Sequence, residues 1–319
     1  MQTNLPALSV VLVTPDRYQS LSQTVKRLRA QTVRDQMELV IVAPSAAQLD
    51  IDAAELEGFC QFRVAEADVA KSIPAAKAAG IRAASASIVV MAEDHSYPRV
   101  DWAEALIEAH REPWGAVGPV LWNANPSMVS WANFLIAYGP WIGPRTSGVI
   151  ESLSEHNSSY KRALLLEYGA RLETMLDREG TLHQELQKKG YQLYLESKAK
   201  TDHLNFSQLW LSMALRFYGG RVYGGVRARV GRWSALRRIL YASGLPFIPL
   251  MRLRHVLREI RRMGRQKELL PHILPVLLTL LTATAAGEVT GYLLGIGNAQ
   301  RQLDRFEFSG ALLDEHGRR

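Results

Sequence analysis

Residues Ser87–Pro98 read SIVVMAEDHSYP. Ile88 to Ala92 form an unbroken apolar run, short and rich in β-branched residues, as a strand covered on both faces requires. The run ends in Glu93-Asp94-His95, two carboxylates and an imidazole. In open α/β sheets ligands bind in the crevice beyond the carboxyl ends of the strands, so these three side chains are placed to act. Their oxygen and nitrogen donors suit Mg²⁺ or Mn²⁺, whose natural partner is a phosphorylated ligand.

Working outward, the same alternation of elements continues. Residues 71–87 are alanine-rich and predict a helix begun near Pro74. Further upstream, Leu8–Thr14 and Glu38–Ala43 are apolar runs, and Leu21, Val25 and Leu28 recur between them at helical spacing, which makes one βαβ unit. Downstream, 101–110 predicts a helix. Trp114–Pro144, rich in Gly, Pro and aromatics, predicts a long connection whose Trp122, Trp131 and Trp141 are sugar-stacking, lipid-facing or core residues. Residues 159–190 read as helical, interrupted at Gly169 and closed at Gly190, and Tyr191–Glu196 predicts a last strand leading to His203. The fold class is therefore α/β with a mostly parallel sheet.

The chain of 319 residues is long enough for about two domains. One cysteine, Cys60, excludes an internal disulfide and a cysteine zinc cluster. The N-terminal MQTNLPALSVVLV has no basic stretch before its apolar run, so it does not read as a signal peptide, and a reducing cytosolic compartment is expected. The net charge is +7, but Arg216 to Lys267 holds fourteen Lys or Arg against one acid, Glu259; that segment carries +13 and the remainder 7 − 13 = −6. Basicity confined to one segment, with no zinc-finger, RNP or basic-zipper pattern, argues against nucleic acid as a partner.

That segment is amphipathic. Leu250, Leu253, Val256, Leu257, Ile260 and Met263 fall in one arc of a helix, with Arg254, Arg258, Arg261, Arg262 and Arg265 opposite. Trp233, Leu236, Ile239 and Leu240 repeat the arrangement against Arg237 and Arg238. Leu269–Gly287 follows, nineteen residues without a formal charge, about 28 Å as a helix and barely the thickness of the hydrocarbon layer. Pro271, Pro275 and Glu288 count against a simple span. One span, a re-entrant or in-plane hairpin, and a buried soluble helix all remain open. Gly219-Gly220 and Gly224-Gly225, beside Arg221 and Arg227, read as a phosphate loop or a hinge.

Over roughly residues 8–205 the order of segments resembles a family-2 glycosyltransferase of the GT-A fold, a Rossmann-like catalytic domain. Ser9-Val10-Val11-Leu12-Val13-Thr14 with Arg17 is similar to that family's opening strand and nucleotide-contacting turn. Ala76-Lys77-Ala78-Ala79-Gly80-Ile81 resembles its Ala-Arg-Asn-x-Gly-Ile helix, and SIVVMAEDHSYP stands in place of the strand ending in Asp-x-Asp. His156-Asn157-Ser158-Ser159-Tyr160-Lys161-Arg162 is similar to the acceptor-side segment, and Leu182, Leu186 and Gly190-Tyr191 to the helix after the catalytic acid.

The resemblance implies inverting transfer of a sugar from a nucleotide-diphosphate sugar to a glycan or lipid-linked acceptor. It implies donor contacts from Thr14, Arg17, Lys77, Glu93 and Asp94, a divalent Mn or Mg ion on Asp94, His95 and His203, and acceptor contacts from His156, Asn157 and Arg162. It places the catalytic base at Glu179, with Asp177 as the alternative and Glu185 in the same helical stretch. The chain departs from the family pattern at Ala43-Pro44-Ser45, where an aspartate usually reads the base, at Ala78, where Asn is usual, and at His95, which replaces an acid. A catalytically degenerate GT-A protein that binds nucleotide sugar or scaffolds other transferases is the alternative reading. The expected layout is a GT-A domain over 1–215, a membrane-associated helical region over 216–300 on the cytosolic face, and a flexible tail over 301–319.

Overall fold

The computed structural model describes residues 5–15, 18–69, 71–154, 156–177, 180–245, 247–308 and 312. The chain divides into two compact units. One joins the residues up to Trp122 to Trp141–His203, and the other joins Asn123–Pro140 to the residues from Leu204 onward. The change of unit falls at 203/204, where the sequence suggests 215/216, and the second unit also takes a piece of the first half of the chain.

The first unit is built on a nine-stranded sheet. Its strands are β1 (Leu8–Val13), β2 (Met37–Ala43), β3 (Gln61–Glu66), β4 (Ile88–Met91), β5 (Ser96–Pro98), β6 (Ala116–Asn123), β7 (Gly148–Ile150), β8 (Ser159–Lys161) and β9 (Leu193–His203). They run in the order β3-β2-β1-β4-β8-β6-β9-β5, with β7 also paired to β9. β3, β2, β1 and β4 are mutually parallel, and every residue of β2 is buried, as continuous apolar strands under helices on both faces must be. The sheet then turns antiparallel at β4–β8.

Glu38, buried in β2, ties the parallel half together at the amino ends of its strands. It accepts from Ser9 Oγ, from Arg63 Nε at 2.7 Å and from the Ser85 amide at 2.7 Å. These donors hold the carboxyl below its ordinary value against the opposing effect of burial.

The sheet's helices are α1 (Ser22–Arg29), α2 (Ile73–Ala83) and α3 (Trp102–Ala109); α4 (Met128–Tyr138) belongs to the second unit, and α5 (Arg162–Leu166), α6 (Leu172–Leu176) and α7 (Thr181–Lys188) complete the first. α2 starts where Ser72 caps it and Pro74 fits its first turn. Its small residues let it lie close on the sheet: a Cβ at Gly80 would run into Val11 and Val42. That packing accounts physically for the Ala-Lys-Ala-Ala-Gly-Ile run.

Two expectations are corrected here. Trp114–Pro144 is not a long connection, because it contains β6 and α4, the latter capped by Ser127 accepting from the Ser130 amide. Residues 159–161 are strand β8 rather than helix, since Ser159 and Tyr160 pair with β4 and β6 on either side.

The second unit is helical: α4, α8 (Leu209–Val230), α9 (Ala235–Ala242), α10 (Phe247–Arg262), α11 (Gln266–Leu294) and α12 (Ala299–Phe308). The glycine pairs are neither a phosphate loop nor a hinge. They lie inside α8, where Cβ atoms at Gly220 and Gly224 would collide with the carbonyls of Thr284 and Glu288 on α11, and one at Gly287 with the carbonyl of Phe217. The two backbones thus touch along a seam of glycines. Glu288 is buried there, bonded by Tyr292 and by Arg252 at 2.7 Å. Trp233, Tyr292 and Tyr241 pack beside it. Among the described residues α11 is the one helix long and apolar enough, by length and composition, to cross a membrane. Residues 301–308, read from sequence as tail, belong to α12.

Candidate functional site

The sheet brings together residues far apart in the chain at the carboxyl end of β4. The Ala92 amide still bonds to the Val11 carbonyl at 2.9 Å, so the chain leaves the sheet only at Glu93. Thr24 Oγ1 on α1 then donates to the carbonyls of Asp94, at 2.9 Å, and Glu93, at 3.2 Å, fixing the turn. β5 follows at once and pairs antiparallel with β9, with Ser96 opposite His203. Arg99 clamps the same pair of strands through two nitrogens on Asp202 and lies over Trp122. This register sets the His95 and His203 rings edge to face, 4.9 Å between centroids.

His156 arrives by a third route. β8 runs antiparallel to β4, and the Asn157 amide bonds to the Met91 carbonyl at 2.8 Å, so the residue before it lies over the end of β4. Its Nδ1 is 2.6 Å from Glu93 Oε1. Asn157 adopts a left-handed backbone, φ 61°, and is buried.

Glu93 is the hub. Its Oε2 lies 3.5 Å from His203 Nε2 and 3.7 Å from His95 Nε2, both too long for a good hydrogen bond. One donor atom each from Glu93, His95 and His203 lies within 4.8 Å of the others. A divalent ion with ligand distances of about 2.1 Å sets its ligands roughly 3.0–3.4 Å apart, so these donors converge on near-coordinating geometry. Burial alone would raise the Glu93 carboxyl. The charges of His156 and His95 and the His156 hydrogen bond outweigh it and hold Glu93 well below the usual carboxylate range. Burial pushes His203 below the ordinary imidazole value, with Glu93 opposing, which keeps the ring neutral and able to bind a cation. An ionised carboxylate with the neutral His203 imidazole fits Mn²⁺ better than Mg²⁺, which favours oxygen alone.

Other residues singled out from the sequence fall as follows. Asp94 stands outside the converging set, with its Oδ1 2.6 Å from His95 Nδ1. Thr14 is buried at the end of β1, beside Ser20. Lys77 is half-buried on α2, and no hydrogen bond or ion pair ties it to the cluster among the described residues. Asp177 is exposed at the end of α6, and Glu185 pairs with Lys188 on α7 at 2.7 Å. Arg17 and Glu179 lie outside the described residues.

Arg162 is not brought to the site. Because β8 is antiparallel to β4, His156 and Arg162 are carried to opposite ends of the sheet. Arg162 donates to the carbonyls of Ile81 at 2.9 Å and Arg82 at 2.8 Å, closing the last turn of α2.

The contacts of His156 with Glu93 and of Thr24 with the turn are absent from a linear reading. Spacing does carry one signal: alternate residues beyond a strand tend to share a side, which groups Glu93 with His95 and sets Asp94 apart.

No family model and no curated protein matches this sequence. Solved structures do match its shape, and the fold is that of the GT-A glycosyltransferases. A mannosyltransferase from Pyrobaculum calidifontis, in complex with GDP-Man and Mn²⁺, is similar over 89% of this chain and 87% of its own, with a TM-score of 0.54 and 16% identity. A GalNAc-T crystal structure with UDP, GalNAc and Mn²⁺ aligns over 63% of this chain and 44% of its own, with a TM-score of 0.46 and 14% identity, too remote to add to the argument.

Proposed function

We propose that this protein is a glycosyltransferase that moves a sugar from a nucleotide-diphosphate donor to an acceptor hydroxyl. The observation that carries the reading is the convergence of Glu93, His95 and His203 at the carboxyl edge of the parallel strands of a GT-A fold. A solved structure of similar fold holds GDP-Man and Mn²⁺.

Glu93, His95 and His203 would hold the divalent ion, and the bound ion would supply positive charge for the leaving diphosphate. Asp94 orients His95 through Nδ1, and His156 holds the second oxygen of Glu93, so both act on the ligands rather than on the sugar. Thr14 and Lys77 flank the donor from β1 and α2. Acceptance of the acceptor's proton falls to the Asp177/Glu179 stretch before α7, because Glu185 is engaged by Lys188. Attack by the acceptor in a single displacement gives inversion at the sugar carbon. The helical second unit, with its arginine-rich stretch, attaches the enzyme to the cytosolic face of a membrane, where a glycan or lipid-linked acceptor is presented.

Incubating the full chain with Mn²⁺ and a panel of nucleotide sugars, GDP-mannose first, tests this directly. Release of nucleoside diphosphate that disappears in His203→Ala is the expected result. A second reading, binding without turnover, is favoured by Ala43, buried at the end of β2 and offering no carboxylate to the base. Saturable binding of nucleotide sugars with no turnover across the panel supports it instead.

A further inference from the structure

Six large apolar side chains of α9 and α10 stand largely in solvent: Leu236, Ile239, Leu240, Phe247, Leu250 and Met251 are each 58–78% exposed. Within each helix they recur at i, i+3 and i+4, which puts them on one face of that helix. Leu240 of α9 and Phe247 and Met251 of α10 line the same cavity of about 540 Å³, whose inner walls include Tyr223, Arg227 and Arg252. Along α10 the exposed stripe changes character from Phe247, Leu250 and Met251 to Arg254 and Arg258, one and two turns on. Arg237 is exposed on α9. The one acid between Arg216 and Lys267, Glu259, is paired with Arg262 at 2.7 Å. Among the described residues Arg237, Arg254 and Arg258 pair with no carboxylate, and an apolar patch rimmed by such guanidinium groups is complementary to an anionic lipid surface, with the apolar side chains in the acyl boundary and the arginines at the phosphates.

α11 is bound to a helix that cannot enter a bilayer. Its backbone touches that of α8 at Thr284, Gly287, Glu288 and Gly291, and α8 carries Arg216, Arg221, Arg227 and Arg229. A crossing by α11 would drag these charges, and buried Glu288 with its partner Arg252, into hydrocarbon.

We propose that the second unit docks on an anionic bilayer through the continuous face of α9 and α10, lying in the membrane plane, and that α11 does not cross. This deepens the membrane attachment proposed above and is independent of sugar transfer.

The test is flotation of the purified full chain with vesicles of phosphatidylcholine alone and of phosphatidylcholine mixed with phosphatidylglycerol, followed by alkaline carbonate extraction. The wild type is expected to float with the anionic vesicles, to bind the neutral ones at least about tenfold more weakly, and to be released by carbonate. Ile239→Glu with Met251→Glu, both at exposed positions, should abolish flotation without changing the melting temperature. Arg254→Glu with Arg258→Glu should erase the preference for anionic lipid. Undiminished flotation of the Ile239→Glu/Met251→Glu variant, or retention through carbonate, overturns the proposal while leaving attachment standing. A wild type that fails to float, or that instead dimerises through Met251, overturns the attachment as well. Nucleoside diphosphate release in vesicle-free solution reads the sugar-transfer assignment separately in every variant.

Discussion

Glu93→Gln and Asp94→Asn together decide which of two adjacent carboxylates binds the ion. Each substitution keeps the shape and removes one charge. Glu93 Oε2 points at both histidine Nε2 atoms, at 3.5 and 3.7 Å, whereas Asp94 Oδ1 is committed to His95 Nδ1 at 2.6 Å. A carboxylate about 3 Å from a doubly charged ion, at an effective dielectric of about 20, is attracted by roughly 332 × 2/(20 × 3), about 11 kcal/mol. If the desolvation of Glu93 offsets two thirds of this, about 4 kcal/mol remains, a weakening of Mn²⁺ binding by about 10³-fold in Glu93→Gln. Asp94 acts through His95 alone, and loss of such an outer contact costs about 10–100-fold. His156→Ala should fall in that same range, since it strips the partner from Glu93 Oε1. The assay is titration of the free Mn²⁺ electron-paramagnetic-resonance signal with full-length protein, checked by calorimetry, with thermal melts to confirm folding. An Asp94→Asn loss equal to or larger than that of Glu93→Gln would refute the assignment of Glu93 as the ligand.

Burial pushes both His110 and His183 down to about 4, with the Lys161 charge adding to the effect on His110. As pH falls from about 6.5 toward 4 the unfolded chain therefore takes up protons that the folded unit refuses, and stability drops by about 2 kcal/mol per histidine at pH 5; urea midpoints at pH 7 and 5 should show it, and His110→Gln/His183→Gln should flatten the difference. Gly287→Val drives a side chain into the Phe217 carbonyl and should lower stability by about 3 kcal/mol or more, whereas Gly219→Ala, with open space at its Cβ, should raise it by about 1 kcal/mol; thermal melts distinguish them, and equal effects would mean the α8–α11 seam is wrong. Arg162→Ala should cost about 1–2 kcal/mol through the two lost bonds to α2 and leave the acceptor KM unchanged; a raised KM with unchanged stability would return Arg162 to the acceptor side.

The parallel half of the sheet was legible because burial on both faces imposes the same continuous apolar code on each strand: Leu8–Thr14, Glu38–Ala43 and Ser87–Ala92 correspond to β1, β2 and β4. β3 carries no such code. As an edge strand, with none of its residues buried, QFRVAE mixes polar and apolar positions and reads as loop. β6 was hidden by Gly118 and Pro119, residues that usually punctuate loops; here a Cβ at position 118 would strike Leu153, so glycine serves close packing within the strand. The glycines of α8 misled for the same reason, since packing against the α11 backbone and bending a loop call for the same residue.

The candidate site divides along a similar line. Glu93 and His95 are neighbours in sequence, and their donor chemistry is visible there. His203 joins them only through the β5–β9 register, and His156 only because β8 turns back beside β4. That reversal also explains why a matched segment need not act as one group. An antiparallel strand of three residues advances the chain about 10 Å along the sheet, so His156 is delivered to Glu93 while Arg162 is delivered to α2. A contiguous motif that contains a strand therefore places its two ends in different environments, and only the end at the carboxyl edge of the parallel strands can contribute to the chemistry.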